Sequence, residues 1–243
     1  MIETQITGSG MNGEGVARVD GKVVFLPYAL SGERVRAVVK TVKKNYAEAS
    51  VIKVLEPSEH RVTPECPHYY KCGGCDTSHI DGAYRREVIL GELKNNLKKI
   101  AGVDYTPDAF IESAKKTRNK IAMPFGYACG KVVLGMYRYN THDVEPVDCM
   151  MAGELTRGIV KTVCEFCNAK KLSVYDGASG RGLLRHLVVR EISGRAAVTL
   201  VVSGDMQKSD LNALADVLPD TADFFVSVNK KRGNVILGDS ARL

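Results

Sequence analysis

The stretch VARVDGKVVFL, residues 16–26, decides the fold of the first part of the chain. Two short apolar runs flank the dipeptide Asp20-Gly21, which is a strong signal for a tight hairpin turn. Similar runs follow at Val35–Val39 and Ala49–Val54, again separated by turn residues. Short strands at this spacing predict a small all-β barrel over residues 1–56.

The run Gly8–Gly13 within this region matches the G-x-G-x-x-G pattern of dinucleotide-binding loops. In those loops a helix follows the glycines, whereas here the β-rich run Val16–Val19 comes next. We therefore predict a turn and no dinucleotide site.

Two further regions follow the barrel. Residues 57–80 are rich in Pro, Cys, His and Gly and carry too few apolar residues to predict a core without a crosslink. Residues 81–243 predict a mixed α+β central domain. Its predicted elements are a helix from Asp81 to Gly102, strands at Ile121–Tyr127 and Val132–Tyr139, a helix at Ala152–Lys170, a hairpin of Leu183–Glu191 with Ala196–Val202, a short helix capped by Ser209, and closing strands at Phe224–Asn229 and Asn234–Leu237.

The composition is that of a globular protein, with 243 residues, 44% hydrophobic and 26% charged. No apolar run is long enough for a membrane span and no signal peptide is visible, so a cytoplasmic monomer is expected. The net charge is +6, and the basic residues fall in three clusters. The clusters are Lys40, Lys43 and Lys44; Lys115, Lys116, Arg118 and Lys120; and Lys230, Lys231 and Arg232. On a shared face they would neutralise RNA phosphates, although solvated loop charges explain each cluster equally well.

Seven cysteines are present, and Cys66, Cys72 and Cys75 have the spacing C-x5-C-x2-C. Three thiolates from one loop and a fourth from elsewhere commonly hold a [4Fe–4S] cluster. Zinc would accept four thiolates, or three with His68 or His79. Spacing alone leaves both metals open.

The fourth ligand has two candidate positions. Cys149 stands at a predicted strand end, while Cys164 and Cys167 form a second C-x2-C pair. That pair lies in a helical stretch without Gly or Pro, which favours buried helix residues. Cys129 in a predicted turn receives no role.

The motifs resemble those of a known family. The run Gly13–Gly21 resembles a TRAM domain, an OB-like RNA-binding barrel. The remaining motifs are similar to bacterial 23S rRNA uracil-5-methyltransferases: the C-x5-C-G-G-C loop, Arg118-Asn119-Lys120, Leu134–Asp143, Leu184–Arg190 and Asn234–Gly238.

The resemblance implies an S-adenosylmethionine-dependent RNA methyltransferase whose front part binds structured RNA, 23S rRNA above all. It implies [4Fe–4S] ligands at Cys66, Cys72, Cys75 and Cys149. It places RNA contacts at Arg118, Lys120 and His142, to which we add Lys43 and Lys44 from the first basic cluster.

In the family, a C-terminal domain binds S-adenosylmethionine and supplies the cysteine that adds to C6 of uracil. We find no glycine-rich loop or cysteine motif of that domain here, so we expect this chain alone, lacking S-adenosylmethionine, to be catalytically inactive. The alternative is a stand-alone iron–sulfur or zinc RNA-binding module without catalysis. Radical enzymes that use S-adenosylmethionine are disfavoured, because their C-x3-C-x2-C spacing leaves one iron unligated.

Overall fold

The N-terminal strands form one sheet in the computed structural model, which describes residues 1–10, 13–113 and 118–242. The strands are β1 (Ile2–Gln5), β2 (Gly8–Ser9), β3 (Gly15–Val19), β4 (Lys22–Leu26), β5 (Arg34–Val42) and β6 (Tyr46–Glu56). Their order is β1-β5-β6-β4-β3-β2, and every pair is antiparallel except β4 with β6. The two edge strands β1 and β2 are separated only by Ile6 and Thr7, so the sheet must curl until its edges meet.

The predicted hairpin is present between β3 and β4. Asp20 and Gly21 have φ values of 51° and 76°, the left-handed conformation that a tight two-residue hairpin turn requires. The interior of the sheet contains Ile6, Leu26 and Val35, with small alanines between them. Strand β3 follows the glycine-rich run, so the expectation that no helix comes directly after it is confirmed.

The chain divides into two compact units. The first contains Met1–Tyr70 and Gly74–Glu112, and the second contains Lys71–Gly73 and Ser113–Leu243. The cysteine loop therefore contributes to both units. The predicted boundaries at residues 56 and 80 remain predictions.

The helix α1 (Gly82–Asn96) ends the first unit's regular structure and continues as a π-helical turn over Leu97–Ala101. Asp81 caps it as predicted, because its Oδ1 accepts a hydrogen bond of 2.8 Å from the Tyr84 amide. Gly102 ends it with a φ of 68°. Although its apolar residues recur at helical spacing, none of its residues is buried.

The second unit is built on a seven-stranded sheet of order β13-β12-β11-β10-β7-β8-β9. The strands are β7 (Lys120–Ala128), β8 (Lys131–Tyr137), β9 (Val144–Pro146), β10 (Leu184–Ile192), β11 (Arg195–Val202), β12 (Ala222–Val228) and β13 (Ala241–Arg242). Helix α3 (Lys208–Val217) connects the parallel strands β11 and β12. Helix α2 (Glu154–Ala169) buries Ile159, Val163 and Cys167 in the core of this unit. The predicted mixed α and β character is thus confirmed.

Two predicted details are wrong. Asn234–Leu237 is not a strand: the carbonyls of Val235 and Ile236 accept hydrogen bonds of 2.7 Å and 3.0 Å from the Asn229 side-chain Nδ2 in place of strand partners. Helix α3 begins one residue before Ser209, after the extended residue Gln207, so Ser209 lies in the first turn and does not cap it.

Candidate functional site

Gly73 of the cysteine loop belongs to the second unit and contacts strand β8 of that unit. The Gly73 amide donates to the Tyr137 carbonyl at 2.9 Å, and a Cβ at Gly73 would lie 2.9 Å from that same oxygen. Only glycine fits this close approach. The neighbouring Cys72 is buried. The hydrogen bond from Gly73 to Tyr137 fixes the backbone beside Cys72 on strand β8.

Cys149 lies just beyond strand β9 and is buried in the same hydrophobic core as Cys72. The Nη1 of Arg118 donates a hydrogen bond of 3.4 Å to the Cys149 Sγ. The structure therefore brings two of the four predicted ligands into one core and gives one of them a cationic neighbour.

The other two predicted ligands, Cys66 and Cys75, belong to the first unit, and both are half-buried. Within the described residues, no group of three or more His, Cys, Asp or Glu side chains is arranged to hold a metal ion. Four cysteine sulfurs would suit either an iron–sulfur cluster or a zinc ion, so the donor set alone does not choose between them. The cluster itself stays a prediction.

The loop has anchors of its own in the first unit. Arg61 forms a buried ion pair with Glu33, whose Oε2 accepts from the Arg61 Nη2 at 2.8 Å. Burial would raise the pKa of Glu33, but hydrogen bonds from Arg61 and the Leu30 amide outweigh it and lower that pKa. This ion pair fastens the beginning of the loop, and the expectation that residues 57–80 need a crosslink stays a prediction.

A second anchor pairs Tyr69 with His79. Both side chains are buried, and the Tyr69 hydroxyl lies 2.7 Å from the His79 Nδ1. Burial lowers the pKa of His79 to about 4, so the imidazole is neutral at pH 7. Its Nε2 is buried without a hydrogen-bond partner. Because the Nδ1 of His79 already bonds to Tyr69, this histidine serves to pack the end of the loop against its middle.

The pair Cys164 and Cys167 lies inside helix α2, which confirms the predicted helical context. The Cys164 thiol donates to the Val132 carbonyl at 3.3 Å, and Cys167 is fully buried. Cys129 is exposed in the turn between β7 and β8, with a φ of 49°.

The predicted RNA contacts are dispersed. Lys43 and Lys44 are exposed in the turn between β5 and β6. Lys120 is exposed at the start of β7, and His142 is exposed between β8 and β9. Arg118 is directed at Cys149. Lys115 and Lys116 lie outside the described residues.

Sequence reasoning missed one group in the second unit. Tyr137 at the end of β8 contacts His142 and His186, with ring centroids 5.5 Å and 6.3 Å apart. The buried Arg185 neighbours this group on β10. The run Leu184–Arg190 was visible as a family motif, but residues 49 positions apart carry no local signal that Tyr137 and His186 meet.

Residues 2–52 match the TRAM domain family. An uncharacterised RNA methyltransferase of Caldanaerobacter subterraneus is 33% identical over 98% of this chain and 54% of its own length. Another, from Halalkalibacterium halodurans, is 31% identical over 100% of this chain and 55% of its own length.

The chain carries a TRAM domain and is related to RNA methyltransferases. It spans about half the length of the curated relatives it matches. Its fold is similar to the crystal structure of Pyrococcus abyssi tRNA (uracil-54, C5)-methyltransferase in complex with S-adenosyl-L-homocysteine. The TM-score is 0.68 at 22% identity, over 98% of this chain and 54% of that one. The expected similarity to a TRAM domain and to RNA methyltransferases is thereby confirmed.

The prediction of a catalytically inactive chain is wrong as it was drawn. It rested on missing motifs, whereas 98% of the chain aligns with an RNA methyltransferase and with the fold of another. Short motifs are a weak physical basis for denying an activity, since catalytic groups are defined by their geometry. Across the part of the chain that the structure describes, no helix combines the length and the apolar character needed to cross a membrane.

Proposed function

We propose that this chain serves the S-adenosylmethionine-dependent methylation of uracil C5 in RNA, with 23S rRNA as substrate, by binding and positioning the RNA. The observation that carries the proposal is the similarity to RNA methyltransferases over 98% of the chain, with a TRAM domain at residues 2–52. The choice of 23S rRNA rests on the motif resemblance, and tRNA is the rival substrate.

The surface of the first unit supports an RNA partner. Lys43 and Lys44 occupy the exposed tip of the β5–β6 hairpin, and the Lys22 Nζ donates to the Lys43 carbonyl at 3.2 Å. Three ammonium groups are therefore concentrated on one short turn. Such a turn attracts phosphates without reading sequence.

The proposal includes a [4Fe–4S] cluster held by Cys66, Cys72, Cys75 and Cys149. Its support is the C-x5-C-x2-C spacing of the loop, the burial of Cys72 and Cys149 in one core, and the hydrogen bond from Arg118 to the Cys149 sulfur. When bound, the cluster would supply a crosslink of the cysteine loop. Methyl transfer to uracil needs no electron from it.

The substrate is tested by mapping 5-methyluridine in rRNA and tRNA from cells with and without the gene for this chain. We expect the deletion to remove the modification at a 23S rRNA position and a plasmid copy to restore it. Loss of 5-methyluridine from tRNA alone would identify tRNA as the substrate and leave the proposed reaction unchanged. Unchanged 5-methyluridine in both RNAs would contradict the proposed function.

RNA binding by the hairpin tip is tested with purified protein. The double variant Lys43→Gln, Lys44→Gln is expected to weaken RNA binding at every sequence and to reduce the salt dependence of binding by a slope of about two. The matched control is Lys161→Gln with Lys208→Gln, two exposed lysines on helices of the second unit. An unchanged salt slope in the hairpin variant would remove this surface from the RNA interface.

A further inference from the structure

The aromatic group at the end of strand β8 is exposed although it is held in place. Tyr137 is 37% exposed and Tyr139 is 44% exposed, and His142 beside them is also exposed. The Tyr137 ring meets the His142 ring at 68° and the His186 ring at 78°. Aromatic side chains left at a surface are available for stacking.

Both ends of Tyr137 are fixed. Its carbonyl accepts the Gly73 amide at 2.9 Å, and its hydroxyl lies 3.4 Å from the His186 Nε2. Burial is the main cause that lowers the pKa of His186 to about 4, and the positive charge of Arg185 lowers it further. The imidazole is therefore neutral at pH 7, so one of the two groups donates to the other. A ring fixed in advance loses little freedom when a ligand stacks on it.

A basic loop is held by Arg185, the residue that precedes His186 on strand β10. The register of β10 shifts at Arg185, between Leu184 and His186, and such a bulge redirects a side chain. The Arg185 Nη1 donates to the carbonyls of Asn229 at 2.6 Å and Lys231 at 2.7 Å. Its guanidinium also lies 4.6 Å from the centre of the Tyr175 ring.

The loop held by Arg185 presents its own charges to solvent. Lys230 and Arg232 are exposed, whereas the Lys231 Nζ forms an ion pair of 2.6 Å with Asp239. An exposed aromatic group and an exposed basic loop are thus joined through adjacent residues of one strand. This combination is typical of surfaces that bind single-stranded RNA, where bases stack and cations contact phosphates.

We propose that Tyr137, with Tyr139 and His142 beside it, is a stacking platform for an unpaired RNA base, and that Lys230 and Arg232 bind neighbouring phosphates. The platform rests on the proposed function, since it takes RNA as the partner. It goes beyond that function by naming single-stranded RNA as the form recognised. A duplex offers no free base face, so duplex RNA is the competing ligand in the test.

The test compares binding of a single-stranded RNA and a duplex of equal charge by the full chain. Tyr137→Leu is expected to weaken single-strand binding on the order of tenfold, to leave duplex binding unchanged and to keep the salt slope. Tyr137→Phe should bind like the wild type. The matched control is Tyr127→Leu, an exposed tyrosine at the opposite end of the β7–β8 hairpin.

Lys230→Gln with Arg232→Gln should weaken binding and reduce the salt slope, by about two charges. His142→Ala gives a milder form of the platform test if Tyr137→Leu fails to fold, and thermal melting monitors all variants. Equal single-strand binding by Tyr137→Leu and the wild type would overturn the platform, as would equal losses for single strand and duplex. Failure of the wild type to bind any RNA would instead remove the proposed function.

Discussion

Two pairs of cysteines in this chain have the same C-x2-C spacing and opposite surroundings. Cys72 and Cys75 bracket two glycines in a loop, and the Gly73 amide approaches the backbone of β8. Cys164 and Cys167 lie on helix α2, where one thiol donates to Val132 and the other is fully buried. Spacing alone therefore does not distinguish a ligand pair from a core pair.

The difference shows what a ligand pair requires. A loop with glycines can curl its backbone around a metal centre, whereas a helix fixes both thiols against their own neighbours. Burial is the main cause that raises the pKa of Cys167 to about 12, and the nearby Cys164 thiol raises it further. A thiol that keeps its proton is a poor ligand, since metals bind thiolates.

The largest expected effect is on bound iron. Cys72→Ser or Cys149→Ser should remove nearly all iron from protein prepared without oxygen, because each removes one of the four thiolates proposed to hold the cube. Cys164→Ser should retain it. The measurement is iron per chain by elemental analysis, and iron loss in Cys164→Ser of similar size would reverse the assignment of the two pairs.

The next effect is on stability at alkaline pH. The unfolded chain releases the Cys167 proton near pH 9, whereas the folded protein holds it to about pH 12. Below pH 9 the thiol is protonated in both states, so the unfolding free energy is unaffected there. As the pH rises from 9 towards 12, that free energy falls by up to about 4 kcal/mol. Urea unfolding from pH 8 to pH 11 should show a steeper loss in the wild type than in Cys167→Ala. Parallel curves would mean that Cys167 titrates normally.

A smaller effect is expected from a polar group in the helix pair at neutral pH. Cys167→Ser buries a hydroxyl among Ile159 and Val163 and should cost about 1–3 kcal/mol of unfolding free energy. Cys164→Ser should cost less, because its hydroxyl can keep the bond to the Val132 carbonyl. Equal destabilisation by the two variants would show that their environments do not differ as described.

The smallest effect concerns Arg118, which donates to Cys149 on the ligand side of the comparison. Arg118→Gln removes a positive charge beside a cluster sulfur, so it should lower the cluster's reduction potential and speed iron loss in air several-fold. Arg118→Lys retains the charge and should give an intermediate value. Redox titration gives the reduction potential of both variants. An unchanged or higher potential in Arg118→Gln would show that Arg118 does not act on the cluster, which would leave it a role in RNA contact or packing.

Local patterns predicted most elements of the fold. The turn at Asp20-Gly21, the cap at Asp81 and the hairpin of β10 with β11 follow from neighbouring residues, and the structure contains each of them. Burial was harder to predict. Helix α1 has apolar residues at helical spacing and buries none of them, whereas α2 buries three hydrophobic positions.

The candidate site divides in the same way. The cysteine spacing and the helical context of Cys164 are local signals, so they were visible in the sequence. The bond between Arg118 and Cys149 and the contact between Tyr137 and His186 depend on strand pairing over 31 and 49 residues. The loop's anchors were missed because Glu33 and Arg61 are distant in sequence and form an ion pair that composition does not reveal.

The most direct test is iron and acid-labile sulfide in protein purified without oxygen, measured for the wild type and Cys149→Ser side by side. We expect about four iron and four sulfide per wild-type chain, with visible iron–sulfide absorbance, and nearly no iron or sulfide in the variant. Colourless wild-type protein with one bound zinc would contradict it, and so would iron that Cys149→Ser retains in full.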